Sequence, residues 1–232
     1  MGIRFGAYGK IPALGDFLRI GLASDFARGW DSWLQETILE VRRGLGARWT
    51  DCYMTMPIWR FTLAGGTLGD TQIIGVLMAS VDSVGRQFPL TLAAELDVGD
   101  EVAPVAVHLA SDRCFEALEA LALDALEDGM QRTVMMERLA HIPPPSRPRA
   151  VWATAPGEAT LCAADDARGL SWALGAALVA QKGTTLSLWS CLHVDGRRMM
   201  TLAGLPRGEL AAALFDPEHA QWARISSAGT AG

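Results

Sequence analysis

The chain has 232 residues, half of them apolar and a fifth charged, with a net charge of −6. A substantial core is available, and disorder is excluded except near the ends. Nearly all the positive charge is arginine (Lys10 and Lys182 are the only lysines), and no basic run exceeds Arg42-Arg43 or Arg197-Arg198. That excludes a nucleic-acid surface, which needs a concentrated cationic patch.

The N-terminus has no cationic leader followed by an apolar block, and no apolar stretch is long enough to span a bilayer. Cys52, Cys114, Cys162 and Cys191 are far apart and form no paired motif. The chain therefore reads as cytoplasmic, without membrane insertion, its thiols reduced and mostly serving as small core hydrophobes.

Ile3, Phe5 and Ala7 alternate with Arg4, Gly6 and Tyr8, the pattern of an opening strand. Gly9, Pro12 and Gly15 then impose a loop that carries Lys10 and Asp16. Ser24 or Asp25 is positioned to cap the next element. Its stripe of Phe26, Trp30, Trp33, Leu34, Ile38, Val41 and Leu45 predicts an amphipathic helix, ended by Gly44 or Gly46. Trp30 and Trp33 are expected against a sheet, or with one ring left at an interface.

Three strands follow. Trp59, Phe61 and Leu63 face one way, Arg60 and Thr62 the other, so Arg60 is free to meet an acidic group. The stretch from Ile73 to Val81 is apolar on both faces and predicts a central strand. Phe88 to Leu96 alternates like a half-buried strand, and Pro89 marks an edge or an entry. Between them lies a turn with Asp82, Gly85 and Arg86. Asp82 and Arg86 read most simply as a local ion pair or turn cap. The sharper reading is that Lys10, Asp16, Asp82 and Arg86 converge at one end of the sheet as a recognition surface.

A helix is expected from Ser111 to Asp128, with Phe115, Leu118, Leu121, Ala122 and Leu126 inward and Gly129 closing it. A shorter one should cover Gln131 to Ala140. Pro143 to Pro148 is stiff and extended, and divides the chain into residues 1–142, a linker at 143–148 and a smaller α/β extension at 149–222. In the extension, Val151 to Thr154 is a strand. Asp166 caps a helix with inward Leu170, Leu174, Ala177 and Leu178, and Gly183 lies past its end. Asp195-Gly196 marks a hairpin between Leu186–Leu192 and Arg198–Leu202, and Pro206 starts a last helix with Leu210 and Leu214 inward. Residues 223–232 form a loose tail. The fold class is α+β, an antiparallel sheet flanked by helices, in the element order of longin-like domains.

The chemistry-bearing residues are sparse. His108, His141, His193 and His219 are scattered, and no metal-ligand spacing occurs. The Gly6-to-Lys10 segment has the wrong spacing for a phosphate loop, and Ser80 lacks the glycines of a nucleophile elbow. Neither a metal nor a cofactor is expected.

Gly75-Val-Leu-Met-Ala-Ser-Val-Asp-Ser-Val-Gly-Arg-Gln-Phe-Pro-Leu90 resembles the GVLMPSVDRVGRxFPL signature of the TagF family, also called ImpM or SciT. Tyr8 to Phe17 resembles that family's YGKxPxxGDF opening. Trp30-Asp-Ser-Trp-Leu34 and Pro57-Ile-Trp-Arg-Phe61 are similar to its WDxWL and PxWRF elements. The four fall in order between residues 8 and 90. Ala79 stands where the family has proline, and Ser83 where it has a basic residue. The resemblance implies a non-enzymatic, post-translational repressor of the bacterial type VI secretion system. Its implied partner is a forkhead-associated (FHA) domain scaffold. Lys10, Asp16, Trp33, Arg60, Asp82 and Arg86 are the protein-binding candidates. A small hydrolase using the Lys/Asp/Arg set and a structural assembly factor are the rival classes; the former would need a nucleophile or base with an orienting partner.

Overall fold

The computed structural model describes residues 3–96, 103–146, 151–154, 160–164, 166–180 and 185–223. Seven strands make one antiparallel sheet in the order β2-β1-β5-β4-β3-β8-β9. These are β1 (Phe5–Gly9), β2 (Leu18–Ile20), β3 (Trp59–Leu63), β4 (Gln72–Met78), β5 (Leu90–Leu96), β8 (Leu186–His193) and β9 (Gly196–Ala203). A separate pair joins β6 (Val151–Thr154) to β7 (Thr160–Ala163). The helices are α1 (Ser24–Leu45), α2 (Trp49–Thr55), α3 (Pro104–Ala110), α4 (Asp112–Asp124), α5 (Arg132–Leu139), α6 (Ala167–Ala180) and α7 (Gly208–Phe215). This is the expected α+β class. The C-terminal hairpin joins the same sheet as the N-terminal strands, through β8 beside β3.

Both faces of the sheet carry apolar side chains and are covered by helices. One face carries Tyr8, Trp59, Phe61, Leu63, Ile73, Leu77 and Trp189 under α1, α2 and α7. The other carries Ala7, Ile74, Val76, Leu90, Leu92 and Ala94 under α4 and α5. Strand β4 is central, as its two-sided apolar pattern predicts. Strand β5 is also interior and almost wholly buried, so Pro89 is an entry position and not an edge.

The α1 stripe packs on the sheet as expected. Trp30 lies 4.7 Å from the Phe61 ring and donates from Nε1 to Thr91 Oγ1 at 2.8 Å. Trp33 is also buried and donates to the Pro206 carbonyl at 2.9 Å. The interface-anchor reading of a tryptophan therefore fails, since α7 roofs the rings. Gly75, paired with Phe61, has no room for a side chain: a Cβ would stand 2.8 Å from the Phe61 ring and 2.4 Å from the Leu92 carbonyl oxygen.

Several local expectations are corrected. Neither Ser24 nor Asp25 caps α1; Ala23 holds that position, and its N–H donates to Glu95 Oε1 at 3.0 Å. Gly44 lies inside α1, and Gly46 ends it with φ 54°. Helix α4 stops at Asp124, which leaves Leu126 exposed. Helix α6 buries Ala177 as expected, together with Ala173 and Ala176, but exposes Leu170, Leu174 and Leu178. Small residues let α6 approach α3 closely, and the leucines fall on the opposite side. Asp166 does cap it, accepting from the Gly169 N–H at 2.6 Å. The hairpin turn is Val194-Asp195, one residue earlier than expected, with His193 opposite Gly196. Helix α7 begins at Gly208, two residues after Pro206. Gly183, Arg147, Pro148 and residues 224–232 lie outside the described residues. Among the described residues no helix is long and apolar enough to cross a membrane.

Candidate functional site

Strands β1 and β4 both run antiparallel to β5, so they point the same way and their C-terminal loops emerge at one end of the sheet. That topology brings Lys10, just past β1, to Asp82, just past β4. Lys10 Nζ donates to Asp82 Oδ2 at 2.9 Å, and both side chains are buried. Arg86 Nε donates to the same oxygen at 2.6 Å. The other oxygen, Oδ1, accepts the backbone N–H groups of Val84 at 3.1 Å and Arg86 at 2.9 Å. Gly85 holds φ 80°, the left-handed conformation that lets its N–H close the turn on the Asp82 carbonyl at 2.9 Å.

The two loops are stitched together by backbone as well. The Ser83 N–H donates to the Leu14 carbonyl at 3.1 Å, and Arg86 Nη2 donates to the Gly15 carbonyl at 2.9 Å. Helix α2 braces the turn from below. Tyr53 hydroxyl donates to the Ser80 carbonyl at 2.6 Å, and Trp49 Nε1 donates to Gln87 Oε1 at 2.6 Å. Burial disfavours the Asp82 charge, but Lys10, Arg86 and the turn N–H groups outweigh it and hold the carboxyl well below the usual range. Four donors occupy the roughly four acceptor positions of a carboxylate. Asp82 therefore has nothing left with which to take a proton from a substrate. The set is a clamp, and what it presents outward is its rim: Val84, 71% exposed, and Arg86, whose side chain is 62% exposed.

Of the six candidates, the fold gathers Lys10, Asp82 and Arg86. Asp16 is exposed in the adjacent loop and accepts from the Phe17 N–H at 2.7 Å. Trp33 belongs to the aromatic core. Arg60 leaves the Trp59 face, as its alternation requires, and meets acid on the other side. It forks onto Glu119, with Nε to Oε1 at 2.7 Å and Nη2 to Oε2 at 2.8 Å, and donates from Nη1 to Asp112 at 3.0 Å.

Sequence reasoning missed the bracing tyrosine, Tyr53, and the acidic partners of Arg60. Asp112 and Glu119 sit seven apart, two turns along one helix face, which is the signal that places both carboxylates toward one strand. It also missed His108. Its ring joins Thr62 Oγ1 at 2.9 Å through Nδ1 and Ser190 Oγ at 2.8 Å through Nε2. Burial first, then the neighbouring Arg60 charge, pushes its pKa down to about 3, so the ring is neutral. Among the described residues no cluster of His, Cys, Asp and Glu fits a metal ion.

The model of the "TagF N-terminal domain, Type VI secretion system-associated" matches residues 6–142, which contain the whole clamp. Among solved structures, the chain is similar to PA0076 from Pseudomonas aeruginosa PAO1. The two are 32% identical, with 92% of this chain and 94% of that chain covered and a TM-score of 0.75. No curated protein matches the sequence. With more than half its length under the family model and a full-length structural relative, the chain belongs to the TagF family of type VI secretion system-associated proteins.

Proposed function

We propose that this chain is a non-enzymatic, cytoplasmic, post-translational repressor of a type VI secretion system, and that it acts by binding an FHA-domain scaffold protein. The family match supports the system; the saturated Asp82 clamp is the observation that favours binding over catalysis. Every acceptor position of its buried carboxylate is used internally, and the turn it fixes holds an apolar tip beside a guanidinium in solvent. A preformed turn of this kind loses little conformational entropy on docking.

The test is overproduction in cells that carry the system, reading effector secretion and co-purified FHA-domain protein together. Wild type should lower secretion and retain the scaffold. Arg86→Ala should cost less than ~1 kcal/mol of stability, as expected of an exposed ion pair. It should weaken scaffold binding by ~2 kcal/mol, the scale of an interface hot spot. Unchanged or rising secretion under wild-type overproduction, with no FHA-domain protein retained, overturns the proposal.

A further inference from the structure

A second polar centre lies away from the Asp82 clamp, on the face of the sheet that carries Arg60. A cavity of about 380 Å³ opens between α3, α4, α6 and the β8–β9 hairpin, lined by Arg60, Asp112, Arg168, Trp172, Ser190 and Arg197 among others. That volume is in the range of small-molecule sites, roughly 300–1,000 Å³. The residues arrive from distant parts of the chain, yet their charges converge. Arg60 Nη1 donates to Asp112 Oδ1 at 3.0 Å, Arg168 Nη2 donates to Asp112 Oδ2 at 2.9 Å, and Arg197 Nη1 stands 4.0 Å from Oδ1. Strand register explains the gathering. Arg60 is opposite Ser190, Ser190 is opposite Met199, and Arg197 is two residues along on the same face.

Three guanidiniums thus share one carboxylate in the cavity, with Glu119 engaging Arg60 from behind. Three positive charges meet two negative ones, an excess of cation within a chain whose net charge is −6. Arg197 has no hydrogen bond to Asp112, being beyond bonding distance. Neither Arg168 nor Arg197 is committed to the core, since their side chains are 66% and 68% exposed. Arg168 lies over the Trp172 ring, 5.2 Å from its centroid, so its guanidinium plane is held at the mouth. His108 adds no charge but holds the Ser190 hydroxyl on the cavity wall.

We propose that this cavity binds a phosphate monoester dianion, with Arg168 and Arg197 as its principal donors, Arg60 at its base and Asp112 as the internal group the ligand displaces. The guanidinium fork matches phosphate as well as carboxylate. A ligand carboxylate would replace Asp112 like for like, whereas a dianion also neutralises the excess cation. Trp172 provides an apolar wall beside the anion for whatever the phosphate is attached to.

Isothermal titration calorimetry on the full chain, with inorganic phosphate as the probe, tests this at low salt. Arg168→Ala/Arg197→Ala changes only exposed side chains, so it should fold normally and bind phosphate about tenfold or more weakly, the scale of a charged contact. Asp112→Asn should act in the opposite sense and tighten phosphate binding several-fold, because the internal competitor is weakened while Glu119 still holds Arg60. A site that merely stabilises the fold would not respond in opposite directions to these two changes. AMP and O-phosphoserine then distinguish the source: tighter binding of AMP than of phosphate marks a nucleotide, tighter binding of O-phosphoserine marks a phosphorylated residue, and equality of both with phosphate overturns the monoester assignment. No phosphate binding, or binding unchanged in both variants, overturns the proposal.

Discussion

Replacing Trp30 tests whether the aromatic core is what joins α1 to the sheet. Its ring is fully buried, stacked on Phe26 and Phe61 at centroid distances of 5.5 Å and 4.7 Å and tilted against Trp33 at 4.6 Å. Trp30→Ala leaves a cavity the size of an indole, for which large-to-small substitutions give about 3–5 kcal/mol. It also strips the fully buried Thr91 hydroxyl of its partner, worth about 1 kcal/mol more. The sum, ~5 kcal/mol, should lower Tm by roughly 10–20 °C in a protein of this length. Trp30→Phe keeps most of the ring and should cost only ~2 kcal/mol, part of it the lost hydrogen bond. Adding Thr91→Val to Trp30→Phe then removes the orphaned hydroxyl and should recover about 1 kcal/mol. Urea unfolding followed by circular dichroism reads all four proteins. A Trp30→Ala protein within ~1 kcal/mol of wild type would refute the packing argument. A further loss on adding Thr91→Val would refute the hydrogen-bond argument while leaving the packing one intact.

Gly75→Ala adds one methyl to the central strand, against the Leu92 carbonyl and the Phe61 ring, and should destabilise by about 1–3 kcal/mol, seen as a lower urea midpoint. A variant as stable as wild type would mean the ring moves aside freely. His108 predicts acid sensitivity. Its folded pKa is depressed from 6.5 to about 3, so its contribution is present above 6.5 and lost as pH falls toward 3. Between pH 7 and pH 5 the unfolded chain gains a proton the folded one refuses, costing ~2 kcal/mol. His108→Gln should lose that much less stability over the same interval, measured by urea titration at both pH values. Equal losses in the two proteins would count against the neutral buried ring.

The elements most legible in the sequence are those whose periodicity is set by a buried face. The Trp59, Phe61 and Leu63 alternation and the Phe26-to-Leu45 stripe leave no other way to hide their rings. Helix α6 misled in its leucines, which read as inward on hydrophobicity, whereas close helix packing buries Ala173 and Ala176 beside the expected Ala177. Helices α2 and α3 are only seven residues long, too short for a full stripe, and β2 is a three-residue strand hidden among Gly and Pro signals. At the site, the pairing of Asp82 with Arg86 is visible because it is four residues long. The pairing of Lys10 with Asp82 spans 72 residues and depends on β1 and β4 running the same way. No spacing rule encodes that, and the same holds for the arginines that meet at Asp112.

The junction of β8 with β3 bears on how this protein can be cut or fused. A fragment ending at Ile142 would leave the outer backbone edge of β3 unpaired, a template for strand addition by any other chain. It would also take away the Pro206 and Leu214 carbonyls that receive the Trp33 and Trp59 indoles. The segment by which the family is recognised is thus shorter than the body that shields its own sheet. A truncation or reporter fusion that respects the core belongs beyond Trp222, which is buried and stacks on the Trp59 ring at 5.7 Å.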